Sequence, residues 1–488
     1  MQRNQLPDRL LIAAFGFLYL LLPTINPSLD AWGYAADIRW NGELWSAHHL
    51  LYNAWGRLWT LRYGTEDVMG MMQADNALFA AGTLVLLRGL LLRIQPTFVT
   101  AGILMAGAAF GFMRFAVENE TYILPLFFGV MALSLDKQRK WYTELALLLA
   151  LALAMLFHQS YIFWYLAFIL YRLRITGWRS AIFPALALPV VAGVYWAVAS
   201  HKGLSLSAFV LHDVYAGGVT TSLSWKNFLL TPISFFRSFV QVHGYIAWSW
   251  QHDGMALRLL FVAIGIGLLW SGLRWIQSFS KPVKAMHPLG FFALTAALLH
   301  LLFAFYSEGN AEFMVMLPLL GVLCLAAWNL VSSARTIVLS VFLLCWNLLT
   351  GIGPAHFRDF YGHNVLLSRL VNHPDTRLVS EEPVLLRNML QYQFGVAWRS
   401  AWWVMDSPAW ATGKGKVADS ALAEIRQAIA QSREVWYCDH SRFLFNRAKA
   451  TADGASGKTL MEQYFRMEEV DSFRNMAGAQ KIYRLSEQ

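Results

Sequence analysis

Eleven apolar runs punctuate the chain, starting at Leu10, Met71, Phe98, Tyr122, Leu145, Tyr161, Ala181, Leu257, Pro288, Phe313 and Ile337. Each is long enough, or nearly so, to cross a hydrocarbon layer of roughly 30 Å as a helix. With 57% hydrophobic and 14% charged residues over 488 positions, a soluble globule is excluded. The expected fold is a polytopic α-helical membrane protein of about eleven transmembrane helices. The runs near Tyr122, Leu145 and Tyr161 are short, and they count as spans because polar helix ends are tolerated when packed inside a bundle. The first run follows Arg3 and Arg9 like a signal peptide. Pro23, Asn26 and Pro27 replace the small-residue cleavage pattern, so it is expected to stay as the first helix.

Basic residues set the expected orientation. Alternate connections carry Arg88 with Arg93, Lys137 with Arg139 and Lys140, Arg172 with Arg174 and Arg179, and Arg274 with Lys281 and Lys284. By the positive-inside rule these face the cytoplasm. The net charge of +9 therefore orients helices, and no motif for a nucleic-acid partner accompanies it. The opposite connections face outward: residues 26–70, Glu118 to Glu120, His158 with Gln159, residues 200–256, Glu308 to Glu312, and all that follows Ile352. Residues 225–250 are apolar yet hold Lys226, Pro232, Arg237 and His243, the pattern of helices lying in the interface. Three cysteines, Cys324, Cys345 and Cys438, support neither a disulfide framework nor a Cys-based zinc site.

The composition shifts after about Pro354, which divides the chain into a transmembrane catalytic domain, 1–353, and an extracytoplasmic α/β domain, 354–488. In the latter, strand-like runs at 377–379, 401–405, 434–438 and 481–485 alternate with helical patterns at 384–392 and 418–431, implying a partly parallel sheet. The glycines and lysines at 413–416 lack phosphate-loop spacing.

The outward-facing polar residues converge on one membrane face. Asp30, Glu118, Glu120, His158, Glu308, Asn310 and Glu312 fall where helices meet outward connections, and acids there are costly unless paired or functional. Asp30 follows Pro27 and Ser28, which makes it either the N-cap of a helix starting at Ala31 or a general base that takes a proton from an acceptor hydroxyl. Asp37, two helical turns on, is the substitute base. His48 and His49 are adjacent, a poor arrangement for sharing one metal; either they are solvated, or an imidazole donates to a phosphate oxygen. His158 beside Gln159 has the same two readings. Glu118 and Glu120 either cap the next helix or bind sugar hydroxyls or a divalent cation, and Glu308, Asn310 and Glu312 repeat that choice. Arg114, Lys202, Arg237 and Arg258 are the cations able to neutralise a lipid phosphate.

Four short segments carry a family likeness: Asp30 to Ala36 followed by Gly42 and His48-His49-Leu50-Leu51-Tyr52; Glu118-Asn119-Glu120-Thr121-Tyr122 with Pro125, Phe127 and Phe128; Leu156-Phe157-His158-Gln159-Ser160; and Gly309-Asn310-Ala311-Glu312-Phe313 with Pro318. In order and sidedness they resemble the GT-C superfamily of integral-membrane glycosyltransferases. The resemblance implies a polyprenyl-phosphate sugar donor, a lipid, glycan or protein acceptor, inverting transfer and a bacterial inner membrane location. It makes Asp30 the base with Asp37 as fallback. His48, His49, Tyr52, Glu118, Glu120, His158, Gln159, Glu308, Asn310, Glu312 and Arg237 become the substrate-binding set. The chain departs from the family in lacking an acidic pair such as Asp-Glu at the first position, and residues 354–488 lie outside the shared motifs.

Two rivals come from other readings. A transporter or flippase would bury ionisable residues at mid-membrane, break its helices and show internal repeats. An O-antigen ligase or polymerase would rely on outward Arg and His residues, here Arg237 with His201, His212, His243 and His252.

Overall fold

The computed structural model describes residues 6–136, 140–211, 224–242, 245–279, 287–380, 383–395, 403–406, 419–431, 433–438, 457–475 and 478–488. Lys137, Arg139, Lys281, Lys284, His212, His243, residues 413–416 and the first two positions of the expected 401–405 strand lie outside that set. The chain divides into two compact units. One comprises Met1–Thr24 with Glu43–Pro354, the other Ile25–Gly42 with Ala355–Gln488.

The first unit is helical, and the chain is an integral membrane protein. Among the described residues six helices are long and apolar enough to cross a bilayer: Val68–Ile94, Trp178–His201, Met255–Ile276, Pro288–Tyr306, Ala311–Trp328 and Ser333–Phe357. A seventh span results if Pro96–Ala108 and Phe110–Ala116, bent by 64° at Ala109, count as one. The runs at Leu10, Tyr122, Leu145 and Tyr161 form shorter helices: Leu6–Leu21, Ile123–Leu135, Trp141–Phe157 and Ile162–Thr176. At 1.5 Å per residue they reach roughly 20–26 Å. The physical cause for the last three is the two polar tips, at 117–122 and 158–161, where the backbone leaves helical geometry before the apolar run is used up.

A break in a buried helix frees backbone groups that lipid cannot satisfy. Here Asn347 supplies partners on both sides: its Nδ2 donates to the carbonyls of Ala108 and Phe239, each at 2.8 Å, and its Oδ1 accepts from the Gln241 amide at 2.8 Å. The amides of Phe110 and Gly111 donate to the carbonyls of Phe239 and Ser238 at 3.0 and 2.9 Å. Tyr19 Oη donates to the Gly107 carbonyl at 2.7 Å. The bend is thus held from three other segments of the chain.

The second unit contains a five-stranded sheet ordered β2-β1-β3-β5-β4, with β1 Arg377–Ser380, β2 Trp403–Asp406, β3 Val435–Cys438, β4 Phe465–Asn475 and β5 Gly478–Glu487. β1 is parallel to β2 and β3, while β5 runs antiparallel to β3 and β4. Helix Pro383–Phe394 packs through Leu385, Leu386, Met389 and Leu390 with Leu378, Trp436, Cys438 and Ile482; helix Asp419–Ala430 packs through Leu422, Ile425 and Ala428 with Val379, Val435, Tyr437 and Tyr483. Alternate residues of each strand point to opposite faces, so the helices cover both sides of the sheet. The sequence does not announce β4, since Arg466, Glu468, Glu469, Asp471 and Arg474 interrupt any apolar alternation. It lies at the sheet edge, where charges discourage further pairing.

Ile25–Gly42, assigned from sequence to the 1–353 domain, clusters with the second unit. Asn26 is one cause: its Nδ2 donates to the carbonyls of Ala355 and Arg358 at 2.8 and 2.7 Å, and its Oδ1 accepts from the Phe360 amide at 2.8 Å. Asn26→Ala would leave those three groups without their partner, at a cost of about 2–4 kcal/mol. The expected result is faster hydrogen exchange at residues 355–360, read by mass spectrometry; unchanged protection would show that Asn26 does not hold this segment.

Candidate functional site

In the first unit the link from Val117 to Tyr122 is the pivot. Glu118, Asn119, Glu120 and Thr121 are between 0% and 3% exposed, although none is in a helix. Buried irregular backbone needs side-chain partners. Asn76, on the Val68–Ile94 helix, donates through Nδ2 to the carbonyls of Glu118 and Glu120 at 2.7 and 2.8 Å. Tyr52 Oη donates to Asn119 Oδ1 at 2.7 Å. Burial raises the Tyr52 phenol well above its ordinary pKa, with the Glu120 and Asp75 carboxylates adding to the effect, so Tyr52 stays a donor. Arg114 Nε lies 3.1 Å from Glu118 Oε2 and its guanidinium sits over the Phe115 ring. Next to Asn76, Asp75 accepts from Trp55 Nε1 at 2.8 Å. Asp75 and Asn76 were not singled out from sequence, and Asn119 only as part of the Glu118 to Tyr122 segment; the signal available was Gln73, Asp75 and Asn76 close together inside an apolar run.

The two His-bearing segments are stitched to one another. The Gln159 amide donates to the His48 carbonyl at 2.9 Å and Gln159 Nε2 to the Ala47 carbonyl at 2.6 Å, which Tyr195 Oη also reaches at 2.7 Å. The Leu51 amide donates to the Leu156 carbonyl at 3.1 Å. His48 and His49 sit in a turn rather than a helix, with ring centroids 6.5 Å apart, and His49 lies 6.3 Å from His158. His158 lies 4.8 Å from the Tyr122 ring. The Tyr122 hydroxyl donates to Glu312 Oε2 at 3.0 Å, and Asn310 Oδ1 accepts from the Glu312 amide at 2.9 Å, capping the turn Ala311–Met314. His48, His49, Tyr52, Glu118, Glu120, His158, Gln159, Asn310 and Glu312 are thereby linked through direct contacts or one intervening residue.

His158 is buried, and its Nδ1 accepts from the Ser160 amide at 3.1 Å, with Ser160 Oγ at 2.8 Å. That places the ring proton on Nε2. Burial pushes the imidazole well below its ordinary pKa near 6.5, and the neighbouring His49, His48 and His300 push it further. A depressed folded-state value gives stability that is complete above about pH 6.5 and is lost as the pH falls toward the folded value, by about 1.4 kcal/mol per unit. Thermal unfolding between pH 8 and 5.5 should therefore show a falling midpoint in the wild type and a flatter curve in His158→Gln. Parallel curves would mean that His158 is not the group protonated.

Glu308 and Arg237 have a different setting. Glu308 and Gly309 adopt left-handed backbone angles, φ +54° and +72°, and the Gly309 amide closes the Pro288–Tyr306 helix on the Ala304 carbonyl at 2.7 Å. A Cβ on Gly309 would fall 2.7 Å from the backbone of Leu230 and Thr231, so glycine is required there. Arg237 ends the helix Trp225–Arg237, one residue before Ser238, whose carbonyl accepts from Gly111 at the bend. Lys202 pairs with Glu43, and Arg258 donates to the Asp253 carbonyl. Among the described residues no three His, Cys, Asp or Glu side chains are placed to hold a metal ion.

Asp30 and Asp37 belong to the second unit, on helix Leu29–Trp40. The cap is Ser28, whose Oγ accepts from the Ala31 amide at 3.0 Å, so the expectation of Asp30 as N-cap is corrected: Asp30 is an exposed first-turn acid. Ser28 wins because its extended backbone and short hydroxyl reach the amide of the helix's third residue. Asp37 is half-buried. Seven residues place the two acids on one side of the helix, about 10 Å apart along its axis.

No protein-family model and no curated protein sequence matches this chain. Among solved structures it is similar to the apo oligosaccharyltransferase of Archaeoglobus fulgidus, with a TM-score of 0.53 at 12% identity over 100% of this chain and 75% of that one. ArnT from Cupriavidus metallidurans gives 0.46 at 11% identity over 97% of both chains. The arabinofuranosyltransferase AftD from Mycobacteria gives 0.40 at 15% identity over 98% of this chain and 42% of its own. At such identities likeness concerns the backbone alone, and the archaeal match spans both the helices and the C-terminal unit. The chain shares the fold of that archaeal oligosaccharyltransferase.

Proposed function

We propose that this protein is a glycosyltransferase that moves a sugar from a polyprenyl-phosphate donor to a lipid, glycan or protein acceptor at the outer face of a bacterial inner membrane. The observation that carries the reading is the full-length likeness of its backbone to an oligosaccharyltransferase. That archaeal enzyme has also been solved with an inhibitory peptide and a dolichol-phosphate. The lipid-phosphate class is what we carry over.

In this reading the acceptor oxygen attacks the anomeric carbon, the bond from that carbon to the phosphate oxygen breaks, and the phosphate leaves with the electron pair. Asp30 takes the acceptor proton, with Asp37 as the substitute. The imidazoles of His48 and His49 donate to phosphate oxygens, and Arg237 adds positive charge. Glu118, Glu120, Gln159, Asn310, Glu312 and Glu308 hold sugar hydroxyls. Tyr52 and neutral His158 keep the Asn119 and Ser160 turns in shape, which is a binding role exercised through geometry.

One observation favours a transporter, the span broken by 64° at Ala109. Labelled sugar presented on a panel of polyprenyl-phosphate donors to purified protein, with lipid, glycan and protein fractions as acceptors, separates the two. Transfer to any fraction supports the enzyme. No transfer in the presence of acceptor, together with uptake into proteoliposomes, would replace it by the transporter.

A further inference from the structure

Helix Leu29–Trp40 meets helix Pro383–Phe394 through more than apolar packing. Asn388 Nδ2 donates to the Leu29 carbonyl at 3.0 Å, and Trp40 Nε1 donates to the Tyr392 carbonyl at 3.0 Å, so both ends of the first helix are tied to the second. Between them the Trp32 and Tyr392 rings meet edge to face at 5.3 Å, and the Arg39 guanidinium lies over the Tyr392 ring at 4.9 Å. Gln391 Nε2 reaches Asp37 Oδ1 at 3.5 Å. Leu29, Trp32, Gly33 and Trp40 recur at helical spacing, forming a stripe turned toward the Pro383–Phe394 helix; Asp30 and Asp37 lie along its flank. Gly33 permits the close approach: a Cβ there would stand 3.1 Å from Asn388 Nδ2.

We propose that helix Pro383–Phe394 positions the acid-bearing helix for catalysis, with Asn388, Gln391 and Tyr392 as positioning residues. The inference rests on the reading that Asp30 or Asp37 is the base. It gives the C-terminal unit a task in the reaction, because the carboxylate's direction is fixed by side chains more than 340 residues further along the chain. A general base works only within hydrogen-bond reach of its proton, and a misplacement of about 1 Å can cost up to a hundredfold in rate.

Two variants approach the clamp from opposite sides in the full-length protein. Asn388→Leu removes the amide that holds Leu29. Gly33→Ala pushes that amide away while improving helix propensity, so a merely structural part for Gly33 predicts an equal or steadier protein. Each is expected to lower kcat about tenfold with KM for the donor unchanged, and the double variant to fall little further, since both break one contact. Hydrogen exchange in residues 29–40 should quicken in Asn388→Leu. Asp30→Asn and Asp37→Asn are measured alongside. If either abolishes transfer while both clamp variants keep wild-type kcat, the positioning role is overturned and the base stands. If both acid variants keep full transfer, the base reading falls and the inference with it. Unchanged exchange at 29–40 in Asn388→Leu overturns the clamp whatever the rates.

Discussion

Asp30→Asn is expected to cut sugar transfer by about 10²- to 10⁴-fold, the usual worth of a positioned general base. The substitution keeps size and shape while removing the proton acceptor. Asp30 is exposed and the helix cap belongs to Ser28, and the attraction of a first-turn acid for the helix N-terminus is about 0.3–1 kcal/mol. Activity and stability should therefore separate: kcat collapses while the melting midpoint in detergent stays within a few degrees. Measured with labelled donor at saturating acceptor, full activity in Asp30→Asn and a collapse in Asp37→Asn would move the base one face-length down the same helix. A parallel loss of midpoint and rate would point to a structural part for Asp30.

Asn347→Leu is expected to have the largest effect on stability. One side chain satisfies two carbonyls and one amide at the break in the Pro96–Ala116 path, and Asn347 itself is fully buried. Leucine fills similar space but leaves the Ala108 and Phe239 carbonyls and the Gln241 amide without that partner. The Phe239 carbonyl still accepts from the Phe110 amide, so at about 1–3 kcal/mol for each of the other two buried groups the loss is about 2–6 kcal/mol, comparable with the whole stability of many domains. The folded fraction recovered from detergent should drop sharply and the melting midpoint fall by roughly 10 °C or more. Asn347→Asp, which keeps the acceptor for Gln241 and loses both donors, should be intermediate or, with a buried charge, as severe. A midpoint unchanged in Asn347→Leu would show that water reaches the bend and replaces the side chain.

The clamp on helix Leu29–Trp40 and the bend at Ala109 share a feature. In both, a single asparagine bonds backbone far away in sequence, which makes each a small, specific target for mutation and leaves the apolar packing around it intact.

The residues alone were enough for the membrane class, a mostly helical body and the polar links at Glu118 to Glu120 and at His158 with Gln159. These are local properties. Apolar length, helical spacing and strand alternation are written in consecutive residues, and a charge or a proline interrupts them visibly. Sequence also picked out most of the polar residues that the first unit brings together, because ionisable groups near membrane spans stand out against an apolar background. Their partners follow from how the helices pack. That Asn76 holds the Glu118–Glu120 backbone, that Tyr122 joins Glu312, and that Asn119 receives Tyr52 depends on which helices lie side by side, and a lone Asn or Tyr in an apolar run looks the same whether paired or not. The assignment of Asp30 and Asp37 to the C-terminal unit is the sharpest case. Adjacency in the chain placed them with His48 and His49, whereas Asn26, Asn388 and Tyr392 tie their helix to residues more than 300 positions away, since hydrogen bonds and buried rings follow distance in space.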